Sequence, residues 1–193
     1  MSKRKISGPA IFMYSVIVIM LISAAVCMGL YYSGTTENGA VLWCGIVAFM
    51  IVYHFWLRLI MGNVTKLFKI NRNHPWFREK NFEKALYKLL RVKSWKDKAL
   101  TYNPEAFSLE HHSLDEIADV MAKSELDHWI NELISLSSIL FSLLWGEFWI
   151  FLITAVAAMI FDAQFIVIQR YNRPKVLRII EKRKKHDITP SKV

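Results

Sequence analysis

No charged side chain occurs from Ile6 to Thr36, and Ala10 to Tyr32 is almost wholly apolar. As a helix that run would be about 34 Å long, enough to cross a bilayer core of about 30 Å. A second apolar run, Val41 to Met61, is interrupted only by His54 and Arg58. The third, Leu133 to Ile168, would measure about 54 Å as one helix, too long for a single crossing. Gly146-Glu147 is its natural break, leaving a short arm over 129–145 and a fuller one over 148–169. The pattern therefore predicts spans over about 10–32, 41–61, 129–145 and 148–169, paired as two hairpins. The short arm either crosses fully or turns back within the membrane. Lys3-Arg4-Lys5 imitates the start of a signal peptide, but the apolar stretch after it is too long and lacks a clear small-x-small cleavage site. It reads as a retained span.

Composition agrees with this pattern and charge orients it. Of 193 residues, 54% are hydrophobic and 13% aromatic, too apolar for an ordinary soluble domain. The net charge of +9 would suggest nucleic acid in a soluble protein; in a membrane protein it marks segments lying against anionic lipid. Three Lys/Arg precede the first span, twelve lie between Asn63 and His128, and nine follow from Arg170. The connectors around 33–40 and at Gly146-Glu147 have none. By the positive-inside rule both termini and the segment 63–128 are cytoplasmic. The expected fold is an all-α, multi-pass integral protein of the cell membrane. It forms a single domain over 1–193, with about four transmembrane helices and a basic cytoplasmic tail over 170–193. Cys27 and Cys44 both sit in apolar runs and read as small core residues.

Between the hairpins, Lys66 to Arg91 mixes basic residues with Leu67, Phe68, Ile70, Trp76, Phe77, Phe82, Leu86 and Tyr87. This predicts one or two interfacial amphipathic helices, broken near Asn73-His74-Pro75. Tyr102-Asn103-Pro104 punctuates a loop, and Ser113-Leu114-Asp115-Glu116 is a capping box opening a helix. Along that helix Leu114, Ala118 and Met121 continue at 3-and-4 spacing to Glu125, His128 and Glu132. A stripe that begins apolar thus becomes ionisable just where the chain enters the membrane, a place where such groups face protein or a polar cavity.

Chemical templates are sparse. There is no Gly-rich phosphate loop, no G-x-S-x-G and no H-E-x-x-H. Glu125-x-x-His128 is half of a di-iron signature without its second half, and His111-His112 lacks companions, so neither a metal nor another cofactor is expected. What remains clusters at the cytoplasmic half of the membrane: His54 and Arg58 on one face, Trp95-Lys96-Asp97-Lys98, Asp162 inside the last span, and Gln169-Arg170-Tyr171-Asn172-Arg173-Pro174 at its exit. Asp162 has Arg58 and His54 as candidate partners.

Phe82-Glu83-Lys84, Val92-Lys93-Ser94-Trp95-Lys96-Asp97-Lys98, Glu125-Leu126-Asp127-His128-Trp129 and Gln169-Arg170-Tyr171-Asn172-Arg173-Pro174 occur in this order. Over roughly Trp76 to Leu177 the chain resembles the glycosyl-4,4'-diaponeurosporenoate acyltransferases, which add a fatty acyl chain to the sugar of a carotenoid glycoside in staphyloxanthin synthesis. The resemblance implies acyl transfer from a thioester donor (acyl-CoA or acyl carrier protein) to a hydroxyl of a lipid or glycolipid acceptor at the membrane, without nucleic acid. It further implies His128 as general base, held by Glu125. Arg170 and Arg173, with Lys96 and Lys98, would grip donor phosphates. Trp95, Trp129 and Tyr171 would line a membrane-level slot, with Asp162, Gln169 and Asn172 beside the substrate. The alternatives are a lipid-binding accessory subunit, for which replacement of Glu125 and His128 by Gln and Asn would be harmless, and a small membrane methyltransferase.

Overall fold

The computed structural model describes residues 8–99 and 104–188, and among them every regular element is helical. The cationic Lys3-Arg4-Lys5 start, the Tyr102-Asn103 turn and the last five residues of the tail lie outside the described residues. Helices α1 (Gly8–Tyr32) and α2 (Gly39–Val64) form the first hairpin. Its turn uses Gly34 at φ 74°, a left-handed conformation that glycine adopts without penalty, and Asn38 Oδ1 caps α2 by accepting from the Ala40 amide. The predicted second hairpin also forms. Helix α5 (Leu114–Ser137) continues through a 3-10 segment (Ser138–Phe141) into α6 (Ser142–Trp145), and the chain reverses at Gly146-Glu147 into α7 (Phe148–Ile188). Both turn residues have positive φ.

Among the described residues, three helical stretches are long and apolar enough to cross a membrane: Ile11–Tyr32, Gly39–Leu67 and Phe148–His186. The arm leading to Trp145 is not among them. Its far end nonetheless reaches the level where α1 ends, because the Trp145 indole N–H donates to Tyr32 Oη at 3.0 Å. Around that level Ile46, Met50 and Phe151 form a small core with Phe49, Phe141 and Trp145. Much of the remaining apolar surface is exposed, including Val18, Ile22, Leu143, Trp149 and Ile160, a distribution suited to lipid and not to water.

One expectation changes. Where one or two amphipathic helices were predicted over Lys66 to Arg91, the chain makes 3-10 turns (Thr65–Leu67 and Pro75–Phe77) and a short α3 (Glu83–Leu89), followed by α4 (Val92–Trp95). Pro75 starts its turn with the His74 ring accepting from the Trp76 amide, and Arg91 at φ 49° separates α3 from α4. Helix α7 continues through the Gln169–Pro174 exit and runs 41 residues, about 60 Å. Pro174 removes one backbone donor and disfavours helical geometry at Arg173. The helix persists because Arg173 is locked by side-chain contacts, and further on Arg178 pairs with Glu79 at 3.4 Å and Lys184 approaches Asp115 at 3.9 Å.

The α5 N-terminus follows its capping box: Glu116 N–H donates to Ser113 Oγ at 3.2 Å, and Ser113 N–H to Glu116 Oε2 at 2.7 Å. Those hydrogen bonds hold the exposed Glu116 carboxyl below its ordinary range. In the first hairpin, α1 and α2 approach closely at Gly45. A Cβ there would lie 2.8 Å from Met28 Cγ and 3.2 Å from the Met28 backbone nitrogen. Small residues let membrane helices approach in this way. Gly45→Leu is therefore expected to overpack the α1–α2 seam and cost about 1–3 kcal/mol, measurable by unfolding in detergent; unchanged stability would show that α1 does not rest on α2 at this point.

Candidate active site

Helices α2, α5 and α7 meet at one buried carboxylate. Asp162 on α7 is 1% exposed and has both oxygens engaged. Arg58 Nη2 of α2 donates to Oδ2 at 2.5 Å, while His128 Nδ1 and Asn131 Nδ2 of α5 reach Oδ1 at 2.9 and 3.0 Å. An ionised carboxylate can only accept, so the imidazole presents Nδ1–H to Asp162, and the neutral form of the ring carries its lone pair on Nε2. The ring stacks on Phe165, centroids 4.7 Å apart, which fixes its plane. Arg58 also donates to Ser135 Oγ at 3.3 Å. Glu132, one turn beyond His128, is buried within electrostatic reach of Asp162 and Arg58.

A second carboxylate organises the opposite end of the α5–α7 contact. Glu125 is fully buried, and Arg170 Nε and Arg173 Nη1 donate to its two oxygens at 2.8 and 2.5 Å. Arg170 also binds Glu83 and the Trp76 carbonyl, and Arg173 binds the Phe77 carbonyl with its guanidinium over the Phe77 ring. Glu83 in turn accepts from the Tyr87 hydroxyl at 2.9 Å. Burial and that bond push the Tyr87 phenol upward, so it stays a neutral donor. The irregular segment 75–87 is thus folded onto α7 by two arginines reading its carbonyls and its glutamate.

The structure therefore divides the residues singled out in the sequence. His128 is held by Asp162, not by Glu125: two guanidinium groups on the facing helix claim Glu125, and its neighbour three positions on turns to the other carboxylate. Arg170 and Arg173 spend their donors inside the protein, and Arg173 is 1% exposed; an incoming phosphate would have to displace Glu125. Asp162 has no free oxygen for substrate. Gln169 is buried and donates to Ser124 Oγ at 3.3 Å, and Asn172 is half-buried beside it on α7. Trp129 packs edge-on against Trp76, while the Trp95 indole donates to the Leu90 carbonyl. Tyr171 contacts Tyr87 and lies under Lys175 Nζ, with Lys93 and Lys96 in electrostatic reach. Lys96 pairs with Asp97, and Lys98 is exposed. Asn131, Ser135 and the carbonyls of Trp76 and Phe77 carry no sequence signal. Arg58 did, as a charge inside an apolar run.

The buried pair at Glu125 yields a direct test. Glu125→Gln leaves two guanidinium groups short of a countercharge and is expected to destabilise by about 3–5 kcal/mol. Adding Arg173→Met should recover part of that loss in detergent unfolding, because it removes the stranded charge; additive losses would show that the two are not coupled.

Comparison with known sequences matches residues 73–182, more than half of the chain, to one protein family, glycosyl-4,4'-diaponeurosporenoate acyltransferase. Comparison with curated proteins and with solved structures gives no match. The matched stretch contains Glu83, Glu125, His128, Asp162, Arg170 and Arg173, and so takes in both carboxylate clusters. The chain belongs to the glycosyl-4,4'-diaponeurosporenoate acyltransferase family, and is an enzyme that transfers acyl groups.

Proposed function

We propose that the protein is a multi-pass cell-membrane enzyme that moves a fatty acyl group from a thioester to a hydroxyl of a lipid-linked sugar, with His128 as general base. The observation that carries this is the Asp162–His128 pair: a buried carboxylate on Nδ1, a ring fixed by Phe165, and Nε2 free. This is the arrangement in which a neutral imidazole accepts a hydroxyl proton and the carboxylate stabilises the resulting imidazolium. The hydroxyl oxygen attacks the thioester carbonyl as Nε2 takes its proton. The tetrahedral intermediate then collapses with cleavage of the C–S bond, and the proton on Nε2 passes to the departing thiolate. An ester and a free thiol result, and the base is regenerated. Asp162 is a positioning residue, and Arg58 is its countercharge.

In this reading all four spans cross the membrane, with both termini cytoplasmic. That places Lys93, Lys96, Lys98 and Lys175 on the cytoplasmic side, where the polar end of an acyl-CoA or acyl carrier protein arrives. The basic group around Tyr171 replaces Arg170 and Arg173 as the phosphate grip, because its cations are not consumed by buried carboxylates. The acceptor is the family's carotenoid glycoside or a related glycolipid.

His128→Ala at matched protein levels is expected to lower formation of the acylated lipid by about 10²–10⁴-fold. Asp162→Asn, which leaves the ring without its countercharge, should lose most of the same factor. Lipid-extract mass spectrometry reads the product as an acceptor heavier by one acyl group; full turnover in a folded His128→Ala protein would overturn the assignment. Charge reversal at Lys96 and Lys98 should raise the KM for the thioester several-fold more than it lowers kcat, and the effect should shrink as salt rises. A salt-independent fall in kcat alone would place the donor elsewhere.

A further inference from the structure

A slot of about 200 Å³ opens along the seam between α2 and α7, well away from the Glu125 cluster. Its walls are apolar over four turns of α2, from Trp43 to Arg58, a length of about 22 Å. Trp43 and Phe151 lie side by side at one end, ring centroids 6.4 Å apart. His54 and Arg58 line the other end, and His54 Nδ1 and Arg58 Nε have no hydrogen-bond partner among the described residues. Pockets for compact drug-sized ligands measure about 300–1,000 Å³. A smaller volume drawn out along a helix suits a single flexible chain.

We propose that this slot binds the fatty acyl chain of the thioester donor, with the carbonyl at Arg58 and the tail running toward Trp43. The inference rests on the acyl-transfer reading above and names where its donor lies. The polarity gradient selects the occupant. Hydrocarbon fits the walls, and a carbonyl oxygen that becomes negative during transfer fits the cationic end, where low dielectric strengthens the attraction. Asp162 connects this end to the base, because Arg58 holds one of its oxygens and His128 the other. The slot's polar end and the His128 ring thus share one carboxylate, although His128 itself does not line the slot. The stiff polyene of a carotenoid glycoside is poorly matched to a narrow slot ending at two aromatic rings, and is assigned to the His128 side.

The test uses His128→Ala protein in lipid nanodiscs, so that the donor is bound without being consumed. A fatty acyl thioester carrying a photoreactive diazirine in its chain is cross-linked, and the labelled peptides are mapped by mass spectrometry. Label is expected on 43–58 and 148–158, reduced about tenfold by excess unlabelled thioester and by Ala158→Phe, which fills the slot beside Arg58, but not by carotenoid glycoside. Label spread over α1, or indifferent to thioester competition, would overturn the proposal even if Ala158→Phe fails to fold; displacement by carotenoid glycoside would overturn it in favour of the acceptor. With His128 intact, Thr154→Phe narrows the middle of the slot and should shift the product toward shorter acyl chains, whereas an unaltered chain-length distribution would also overturn it. Turnover by His128→Ala would refute the base assignment and leave the labelling map to decide the slot, so the two failures are distinguishable.

Discussion

A carboxylate in the middle of an apolar helix must be satisfied by its neighbours, and Asp162 imposes that constraint on the whole bundle. Between helices in lipid there is little hydrophobic drive, since the tails are as apolar as the side chains. Where helices sit is decided by close packing and by polar groups that have no other partner. Asp162 accepts from Arg58 of α2 and from His128 and Asn131 of α5. Three helices are fixed by one side chain, and their register follows: Tyr53 of α2 meets Ser137 at 2.7 Å, and Lys123 of α5 meets Thr65 at 2.8 Å. Helix α1, which contributes no such group, packs chiefly on α2 through the close approach at Gly45.

The two buried carboxylates on the α5–α7 interface do different work although their surroundings are chemically alike. Glu125 faces two guanidinium groups that also bind Glu83 and backbone carbonyls, with only the buried Arg173 Nε lacking a partner among the described residues. The effect of this site is to fold the 75–87 segment onto α7. Asp162 faces one guanidinium, one amide and one imidazole, and the imidazole retains a lone pair. Only the second arrangement can exchange a proton with something from outside. The same principle, that a buried charge recruits its partners, thus produces a clamp at Glu125 and an oriented imidazole one turn further along α5.

The spans and turns were legible in the sequence because apolar length, glycine turns and a capping box act locally. Gly146-Glu147 and Ser113–Glu116 behave as their local chemistry dictates. The stripe of Ala118, Met121, Glu125 and Glu132 is buried as its spacing implies, with His128 at its edge. Pairing across helices was not legible in the same way. Glu125 and His128 are neighbours on one face, and nothing in a single sequence says that each prefers a partner on another helix. Arg170 and Arg173 look like free cations at a membrane exit, because the carbonyls and glutamate that consume them lie about ninety residues earlier. Pro174 does not stop α7, where its neighbour Arg173 is anchored by side-chain contacts. The amphipathic mixture over 66–91 misled for a related reason: its aromatics serve carbonyl placement and ring contacts more than a continuous helical face.

The length of α7 supplies the last step. One uninterrupted helix carries Asp162, which holds the His128 ring, and Tyr171, near which Lys93, Lys96 and Lys175 gather. Nine residues separate them, a rise of about 13–14 Å. Had the chain broken at the exit, this spacing would vary with the loop; as a rod anchored at Glu125 it is constant. On the acyl-transfer reading proposed above, a donor with anionic groups at Tyr171 and its carbonyl at the His128 level would need an extended arm between them, and the rigid α7 would fix the length of that arm.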